Sequence, residues 1–256
     1  MVGCQIDILL FCVIMLNSMY MDINAGGDDF AVRMYAADIT GSDPDVWYDD
    51  LPQERREKTD KLKREEDRKR SVMAYVLLEH AITDLARDDG MRYGSFAKEG
   101  LPPIFVDANG KPYFQGNPVF FNISHSGDRV IVALAPCEVG CDVEQKSSNA
   151  MKVAKRFFGE EEYNVLLAAE DENERDKLFR DMWTLKESVL KCSGEGLRRP
   201  LRDFSMTGED GKIKERVTLG DGPEYHVRSY MASDGYSYSV CSIYDKIEDE
   251  IRWVLL

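Results

Sequence analysis

A strict alternation of side chains in residues 139–144, VGCDVE, restricts this segment to one kind of structure. Successive side chains of a β-strand point to opposite faces, so Asp142 and Glu144 project together while the apolar residues face the other way. Two carboxylates one strand step apart form a hard-oxygen site of the kind that Mg²⁺ prefers. In a chain whose net charge is −14, the alternative is an edge strand with a solvated acidic face. A third ligand would favour the metal site.

A helical period in residues 178–191 supplies a candidate for that ligand. Apolar residues recur at helical spacing and predict an amphipathic helix: Phe179, Met182, Leu185, Val189 and Leu190. Trp183, Glu187 and Lys191 are spaced i, i+4, i+8 and share a neighbouring face. Glu187 would complete the carboxylate set, and Lys191 would bind a phosphate one turn away. The alternative is an exposed Glu–Lys pair worth roughly 0.2–0.5 kcal/mol. Lys186 points elsewhere, either into solvent or onto a second phosphate.

A polar interruption between two apolar runs, at residues 122–127, predicts a turn between strands. Serine and asparagine in such turns can leave backbone N–H groups facing outward, where phosphate oxygens bind them. His125 adds a donor that can carry charge. The alternative is a solvated turn with an incidental histidine. A Ser-His-Asp hydrolase is not indicated, because its base lies on a different element from the nucleophile, whereas Ser124 and His125 are adjacent.

Several segments in register resemble the signature blocks of the 4′-phosphopantetheinyl transferases of the surfactin-synthetase-activating type. In chain order these are a basic helix over residues 54–70 leading into Ser71, GKP at 110–112, FNISHSGDRVIVAL, GCDVE, KRFFGEEEYNVL and FRDMWTLKESVLKCSGEGL. The similarity runs from about residue 29 to about residue 244. One such match would mean little, whereas several in the same order and spacing identify the chain as a member of the family.

The resemblance implies a fold and a reaction. The order of helices and strands alone allows an α/β or an α+β fold, and the family implies α+β: a pseudo-dimer of two similar halves, with the active site in the cleft between them. We expect the halves to be residues 21–138 and 139–256. The implied reaction transfers the 4′-phosphopantetheine arm of coenzyme A to a serine of an apo acyl or peptidyl carrier protein. Adenosine 3′,5′-bisphosphate is released.

The resemblance also implies roles for individual residues. Asp142, Glu144 and Glu187 would hold Mg²⁺, for which Mn²⁺ could substitute, and the serine proton would pass to Glu187 or to a water on the metal. The residues taken as catalytic are Glu187, Lys191 and His125. The residues expected to bind coenzyme A are Arg55, Lys58, Arg70, Ser71, Lys111, Ser124, His125 and Lys191. Arg55 stands where relatives commonly show lysine, which keeps the charge but changes the geometry.

Two other functions stay open at this point. One is a housekeeping synthase for the fatty-acid carrier protein, which is usually a much shorter chain that works as a trimer. The other is a catalytically idle module that binds coenzyme A or phosphate, although binding alone does not need three carboxylates that face a diphosphate. Both the enzyme and its carrier are expected to be acidic, so docking requires a local basic or apolar patch.

Composition excludes some classes of function. A net charge of −14 argues against general nucleic-acid binding, which needs a basic face. Six cysteines without a C-x-x-C pair favour a reduced, cytoplasmic protein over a zinc protein. We expect a monomer with no membrane span. Residues 1–20 are strongly apolar but lack an early Lys or Arg, so we interpret them as an extension outside the family fold rather than a secretion signal.

Overall fold

A computed structural model describes residues 30–90, 93–95, 100–146 and 148–256. Residues from Ala31 onward form one unit. The strands are β1 Arg33–Asp38, β2 Ile104–Val106, β3 Pro112–Phe114, β4 Phe120–Ser126, β5 Arg129–Ala135, β6 Val139–Gln145, β7 Arg216–Thr218, β8 Glu224–Tyr230, β9 Tyr236–Ser242 and β10 Arg252–Trp253. The helices are α1 Asp45–Tyr48, α2 Gln53–Asp60, α3 Glu65–Asp88, α4 Ala150–Phe157, α5 Glu160–Leu167 and α6 Glu172–Ser193. The predicted extension, residues 1–20, lies outside the described residues.

The first sheet has the strand order β10-β1-β5-β4 and is antiparallel except for the parallel pair of β10 and β1. Helix α3 packs against β1, β4 and β5. Every residue of β5 from Val130 to Ala135 is buried, because both faces of this strand are covered. The continuous apolar run in the sequence is the usual pattern of such a strand.

The second sheet has the order β6-β9-β8-β7 and is antiparallel throughout. Helix α6 lies across β6, β8 and β9. The apolar side chains of α6 form a core with this sheet, which includes Leu185, Val189, Val227 and Cys241. The amphipathic helix predicted over residues 178–191 is confirmed within α6, whereas the basic helix expected over residues 54–70 is divided between α2 and α3. The mixed α+β class is confirmed.

The two sheets meet where β4 lies beside β6. One core is built from both sheets, since it contains Met34 and Ile131 of the first sheet and Val143 and Val240 of the second. Polar side chains join the two edge strands: the side-chain oxygen of Asn122, Oδ1, accepts the backbone N–H of Cys141 at 3.0 Å. The edge of each sheet is therefore covered by the other, and both strands carry residues of the candidate site.

The prediction of a turn at residues 122–127 is wrong. Residues up to Ser126 continue β4, which pairs with β5 as far as Ser126 opposite Arg129, and the chain reverses at Gly127 and Asp128. The polar residues that suggested a turn are buried in the strand, Asn122 at 4 % and Ser124 at 8 % exposure. Their hydrogen bonds reach across to β6, so burial in a strand costs them little.

Candidate active site

Helix α6 positions two of the predicted site residues, Glu187 and Lys191. The side chain of Asp171 caps its first turn by accepting the Glu174 N–H at 2.8 Å. The predicted apolar stripe is buried against the second sheet and the neighbouring helices, which fixes the rotation of the helix. The helix ends at Gly194, whose φ of 70° is the left-handed conformation that favours glycine.

Gly140 lets α6 approach β6 closely. A Cβ atom at this position would overlap the carbonyl oxygen of Ser188 and the nitrogen of Cys192. Gly140 lies on the same face of β6 as Asp142 and Glu144, since side chains alternate along a strand. The short separation of strand and helix allows Lys191 to reach Asp142.

Lys191 is the centre of a polar contact that joins three elements. Its ammonium lies 2.6 Å from Asp142 Oδ1 and donates to the Ser124 hydroxyl at 3.0 Å and to the Cys141 carbonyl at 3.1 Å. The Ser124 hydroxyl in turn donates to Asp142 Oδ1 at 2.8 Å. The interpretation of Lys191 as part of an exposed Glu–Lys pair is wrong, because its partner is Asp142. Burial is the largest single influence and lowers the pKa of Lys191, but the combined effects of Asp142, Cys141 and Glu187 raise that pKa above its usual value.

Glu144 and Glu187 flank this contact and repel each other. Burial raises the pKa of Glu144, and the charge of Asp142 raises it further. Glu187 has a raised pKa for the same two reasons, with a smaller contribution from Glu144. One oxygen of Glu144 accepts the Ser126 hydroxyl at 2.9 Å. Asp142, Glu144 and Glu187 thus lie in one region. The Lys191 ammonium forms a hydrogen bond to only one of these three carboxylates, that of Asp142.

The donor chemistry of these carboxylates fits a divalent cation. Oδ2 of Asp142 is buried and has no hydrogen-bond partner, which is a costly state for a carboxylate oxygen. The mutual repulsion of Asp142, Glu144 and Glu187 is the kind that a cation relieves. Within the described ranges, no group of three His, Cys, Asp or Glu side chains has the arrangement of a set of metal ligands. The charge of the set and the free oxygen of Asp142 suit a divalent cation.

His125 projects from β4 toward solvent beside two positive charges. The protein atoms around the imidazole lower its pKa, and the charge of Arg70 lowers it further, with a smaller effect from Lys191. Arg70 is held in place by Asp67 at 2.5 Å and by the carbonyl of Gly127 at 3.1 Å. Arg70 and Lys191 thus both act on His125, and each of them is itself paired with a carboxylate, Asp67 and Asp142 respectively.

Arg55 and Lys58 of α2 line a cavity of about 470 Å³. The guanidinium of Arg55 donates to the backbone carbonyl of Ser71 at 2.7 Å and lies 5.9 Å from the centre of the Tyr75 ring. Burial lowers the pKa of Arg55. Lys58 is exposed at the cavity wall, whereas the hydroxyl of Ser71 is buried in a 2.9 Å hydrogen bond with Thr59.

Lys111 lies at the C-terminal end of α6. Its ammonium pairs with Glu138 and donates to the carbonyl of Cys192 at 3.1 Å. The neighbouring Asn109 donates to the carbonyl of Gly194 at 2.6 Å. Residues at the β2–β3 turn thereby hold the C-terminal end of α6, one turn or less beyond Lys191. The structure does not bring Lys111 into contact with Arg55 or Lys58.

The expectation that Lys186 is solvated or binds phosphate is wrong. Its side chain is fully buried and pairs with Glu162 at 2.9 Å. The ammonium also donates to the carbonyl of Leu201 at 2.8 Å and to that of Phe204. Lys186 faces away from the carboxylates because a shift of one residue along a helix turns the side chain by about 100°.

Two site residues were missed in the sequence, Ser126 and Glu138. Ser126 lies one strand step beyond Ser124, so the period of two would have placed both hydroxyls on one face had residues 122–126 been assigned to a strand. Glu138 precedes the acidic strand without any periodic signal. Its role depends on the position of Lys111 and was not predictable from local pattern.

The comparisons with known proteins agree on one family. The model of the 4′-phosphopantetheinyl transferase superfamily matches residues 138–241, which include β6 and α6. The chain is 32% identical to the 4′-phosphopantetheinyl transferase Sfp of Bacillus subtilis over 203 residues, 78% of this chain and 86% of that protein. A second Bacillus subtilis 4′-phosphopantetheinyl transferase is 32% identical over 244 residues, which cover 93% of this chain and 96% of its relative.

The chain belongs to the Sfp-type 4′-phosphopantetheinyl transferases. It is therefore an enzyme of that class, for which coenzyme A and a carrier protein are the family's partners. The AcpT transferase of Salmonella typhi is 36% identical over 104 residues, 39% of this chain and 54% of that protein. A crystal structure of Thermotoga maritima holo-[acyl-carrier-protein] synthase matches 41% of this chain and 61% of its own, at 21% identity and a TM-score of 0.29. None of the helices in the described ranges is both long and apolar enough to span a membrane.

Proposed function

We propose that this transferase moves the 4′-phosphopantetheine arm of coenzyme A to a serine of an apo acyl or peptidyl carrier protein in a Mg²⁺-dependent reaction. The serine oxygen forms a bond to the phosphorus nearer the pantetheine, and the P–O bond to the nucleotide breaks. Adenosine 3′,5′-bisphosphate leaves with the electron pair. The single observation that carries the proposal is the contact of Lys191 with Asp142 beside Glu144 and Glu187.

We infer that the two halves of the chain form a pseudo-dimer with the active site between them. Each sheet carries one long helix, α3 on the first and α6 on the second, which supports this inference. The site residues also come from both sides: Ser124 and His125 lie on β4, whereas Asp142 and Glu144 lie on β6. A site divided in this way depends on how β4 and β6 are held together.

Asp142, Glu144 and Glu187 are the residues that would hold Mg²⁺, or Mn²⁺ in its place. When bound, the cation offsets the negative charge of the diphosphate and so favours attack at phosphorus. Asp142 offers its unpartnered Oδ2 for this purpose. The raised pKa values of Glu144 and Glu187 mean that both carboxylates gain from a nearby cation.

Lys191 and His125 are proposed to bind the diphosphate oxygens. Lys191 stays charged at neutral pH because its pKa is raised, and it can exchange its Ser124 or Cys141 partner for a phosphate oxygen while it keeps Asp142. His125 has a lowered pKa, so at neutral pH it is a neutral donor until an anion binds. Arg70 adds a fixed positive charge beside it.

Glu187 is the proposed acceptor of the serine proton. Without the cation, a carboxylate with a raised pKa is a stronger base than an ordinary one; with the cation bound to Glu187, a water on the cation is the alternative acceptor. Burial and the charges of Asp142 and Glu144 raise the pKa of Glu187 in this way.

The cavity at α2 is proposed to take the nucleotide end of coenzyme A. Lys58 is exposed there and has its charge available for a phosphate, whereas Arg55 is already bonded to the Ser71 carbonyl. Apolar residues on the opposite wall, Leu101 and Ile104, offer a surface for a base. Arg55, Arg70, Ser71, Lys111 and Ser124 remain proposed coenzyme A contacts, and each must first exchange a protein hydrogen bond for one to the ligand.

The test is incubation of the full chain with coenzyme A, Mg²⁺ and several apo carrier proteins, followed by mass spectrometry of the carriers. We expect a phosphopantetheine adduct on at least one carrier and a loss of at least about 100-fold in kcat for Asp142→Ala or Glu187→Ala. Glu161→Ala, an exposed acid on α5, is the matched control. Near-normal turnover by a folded Asp142 or Glu187 variant would rule out this ligand set. Binding of coenzyme A without any adduct would favour the idle module.

A further inference from the structure

Ser126, the last residue of β4, contacts Glu144 across the junction of the two sheets. Its hydroxyl donates to Glu144 Oε2 at 2.9 Å and accepts the backbone N–H of Gln145 at 3.3 Å. The acceptor interaction restricts the rotation of the hydroxyl, because the lone pair that faces Gln145 leaves the O–H directed at the carboxylate. Ser126 is half-buried, so water competes only in part for this hydrogen bond.

The same pattern recurs one strand step earlier. Ser124 donates to Asp142 at 2.8 Å, and both serine–carboxylate pairs are 18 residues apart. A step of two residues along β4, from Ser124 to Ser126, is matched by a step of two residues in the same direction along β6, from Asp142 to Glu144. The two strands therefore run in the same direction with these side chains in register. Two hydroxyls of the first sheet thus face two carboxylates of the second, each at the strand edge where the sheets meet.

We propose that Ser126 is a positioning residue that orients Glu144 for the divalent cation, which rests on the function proposed above. Asp142 repels Glu144, and an unrestrained glutamate would turn away into solvent. A hydrogen bond to one carboxylate oxygen holds the side chain in place and leaves the other oxygen for a ligand. Such outer partners of metal ligands commonly contribute about 10–100-fold in metal affinity.

Ser126 is a better test of this role than Ser124. Ser124 also accepts the ammonium of Lys191, so its removal disturbs the cation and the carboxylate together. The two side-chain hydrogen bonds described for Ser126 involve Glu144 and its neighbour Gln145, and neither involves Lys191. A change at Ser126 therefore acts on Glu144 and the adjoining Gln145 backbone and leaves the hydrogen bonds of Lys191 in place.

The experiment measures Mn²⁺ binding to the full chain directly, by the paramagnetic resonance signal of free Mn²⁺, without coenzyme A or carrier. We expect Ser126→Ala to bind Mn²⁺ about 10-fold more weakly than the wild type. Ser126→Thr keeps the hydroxyl and should bind nearly as the wild type does. Ser229→Ala, an exposed strand serine, is the control and should change nothing. Thermal unfolding without metal should be similar for all four proteins, while the rise in Tm on adding Mn²⁺ should shrink in Ser126→Ala.

Wild-type Mn²⁺ affinity in Ser126→Ala overturns the positioning role and leaves the proposed function intact. Failure of the wild type to bind Mn²⁺, with phosphopantetheine transfer still present, refutes the carboxylate ligand set and the inference with it. Equal weakening in Ser126→Thr and Ser126→Ala also overturns the role, because the hydroxyl would then not matter. Should Ser126→Ala unfold, Ser126→Cys carries the same test with a much weaker donor of similar size.

Discussion

Two lysines of α6, Lys186 and Lys191, each form an ion pair with a carboxylate, but the two ion pairs differ in how far they are enclosed by the protein. Lys186 is fully buried, and its ammonium meets Glu162 and two backbone carbonyls, so its three N–H groups have partners. Lys191 also meets three acceptors, Asp142, the Ser124 hydroxyl and the Cys141 carbonyl, but 29% of its side chain reaches solvent and Oδ2 of Asp142 has no hydrogen-bond partner. The first site is complete in itself, whereas the second has capacity left for a ligand.

The difference shows in the pKa of each lysine. Burial lowers the pKa of Lys186, although Glu162 opposes this. The pKa of Lys191 is raised because Asp142, Cys141 and Glu187 together exceed the effect of burial. The fully buried Lys186–Glu162 ion pair stabilises the fold. The partly exposed Lys191–Asp142 ion pair, which lies beside two further carboxylates, is suited to binding a ligand. We expect substitution of Lys186 to alter stability and substitution of Lys191 to alter catalysis.

The largest expected effect is on stability. Lys186→Met should lower the free energy of unfolding by roughly 3–5 kcal/mol, because it leaves the charge of Glu162 buried without its partner. Chemical denaturation with urea measures this directly. The double variant Lys186→Met/Glu162→Gln should regain part of the loss, since no uncompensated charge remains. Lys155→Ala, an exposed lysine on α4, is the control and should change stability by less than about 0.5 kcal/mol.

A stability loss below about 1 kcal/mol in Lys186→Met, with no gain in the double variant, would contradict the structural role of this ion pair.

The second effect is on the rate. Lys191→Met, the matched substitution, should lower kcat about 100-fold, because the lysine charge matters most as the diphosphate bond loosens. Its cost in stability should be smaller than that of Lys186→Met, since the side chain of Lys191 is partly exposed whereas that of Lys186 is fully buried. Steady-state kinetics at saturating Mg²⁺ and coenzyme A measure kcat, and urea denaturation measures the change in stability. An unchanged kcat would remove Lys191 from the catalytic set.

The smallest effect concerns Lys58, which is distant in sequence from both lysines of α6. Lys58→Ala should raise the KM for coenzyme A several-fold and leave kcat nearly unchanged, because an exposed phosphate contact is worth about 1 kcal/mol. Stability should not change measurably. Kinetics at a series of coenzyme A concentrations test this, and a loss that persists at saturation would place Lys58 nearer the reacting bond than we propose.

Elements with a strict period were predictable from the sequence, and contacts between elements were not. The alternation in β6 and the apolar stripe of α6 predicted both the elements and the faces that Asp142 and Glu187 occupy. β4 was mistaken for a turn because Asn122 and Ser124 are polar, and their partners lie on β6, which no local pattern reveals. Spacing on α6 separated the faces of Lys186 and Lys191 but could not show which face is enclosed.

The parallel pair of β1 and β10 bears on the order in which the chain can fold. Tyr35 lies opposite Arg252, and the Arg252 guanidinium contacts Asp84 at 2.7 Å. The ribosome adds Arg252 after every residue of the second sheet, so β1 emerges long before this neighbour exists. Contacts between such distant positions slow folding, because the chain must close a long loop first. Until then one edge of β1 stays open to other nascent chains, and a chaperone that covers it during synthesis would raise the yield of folded enzyme.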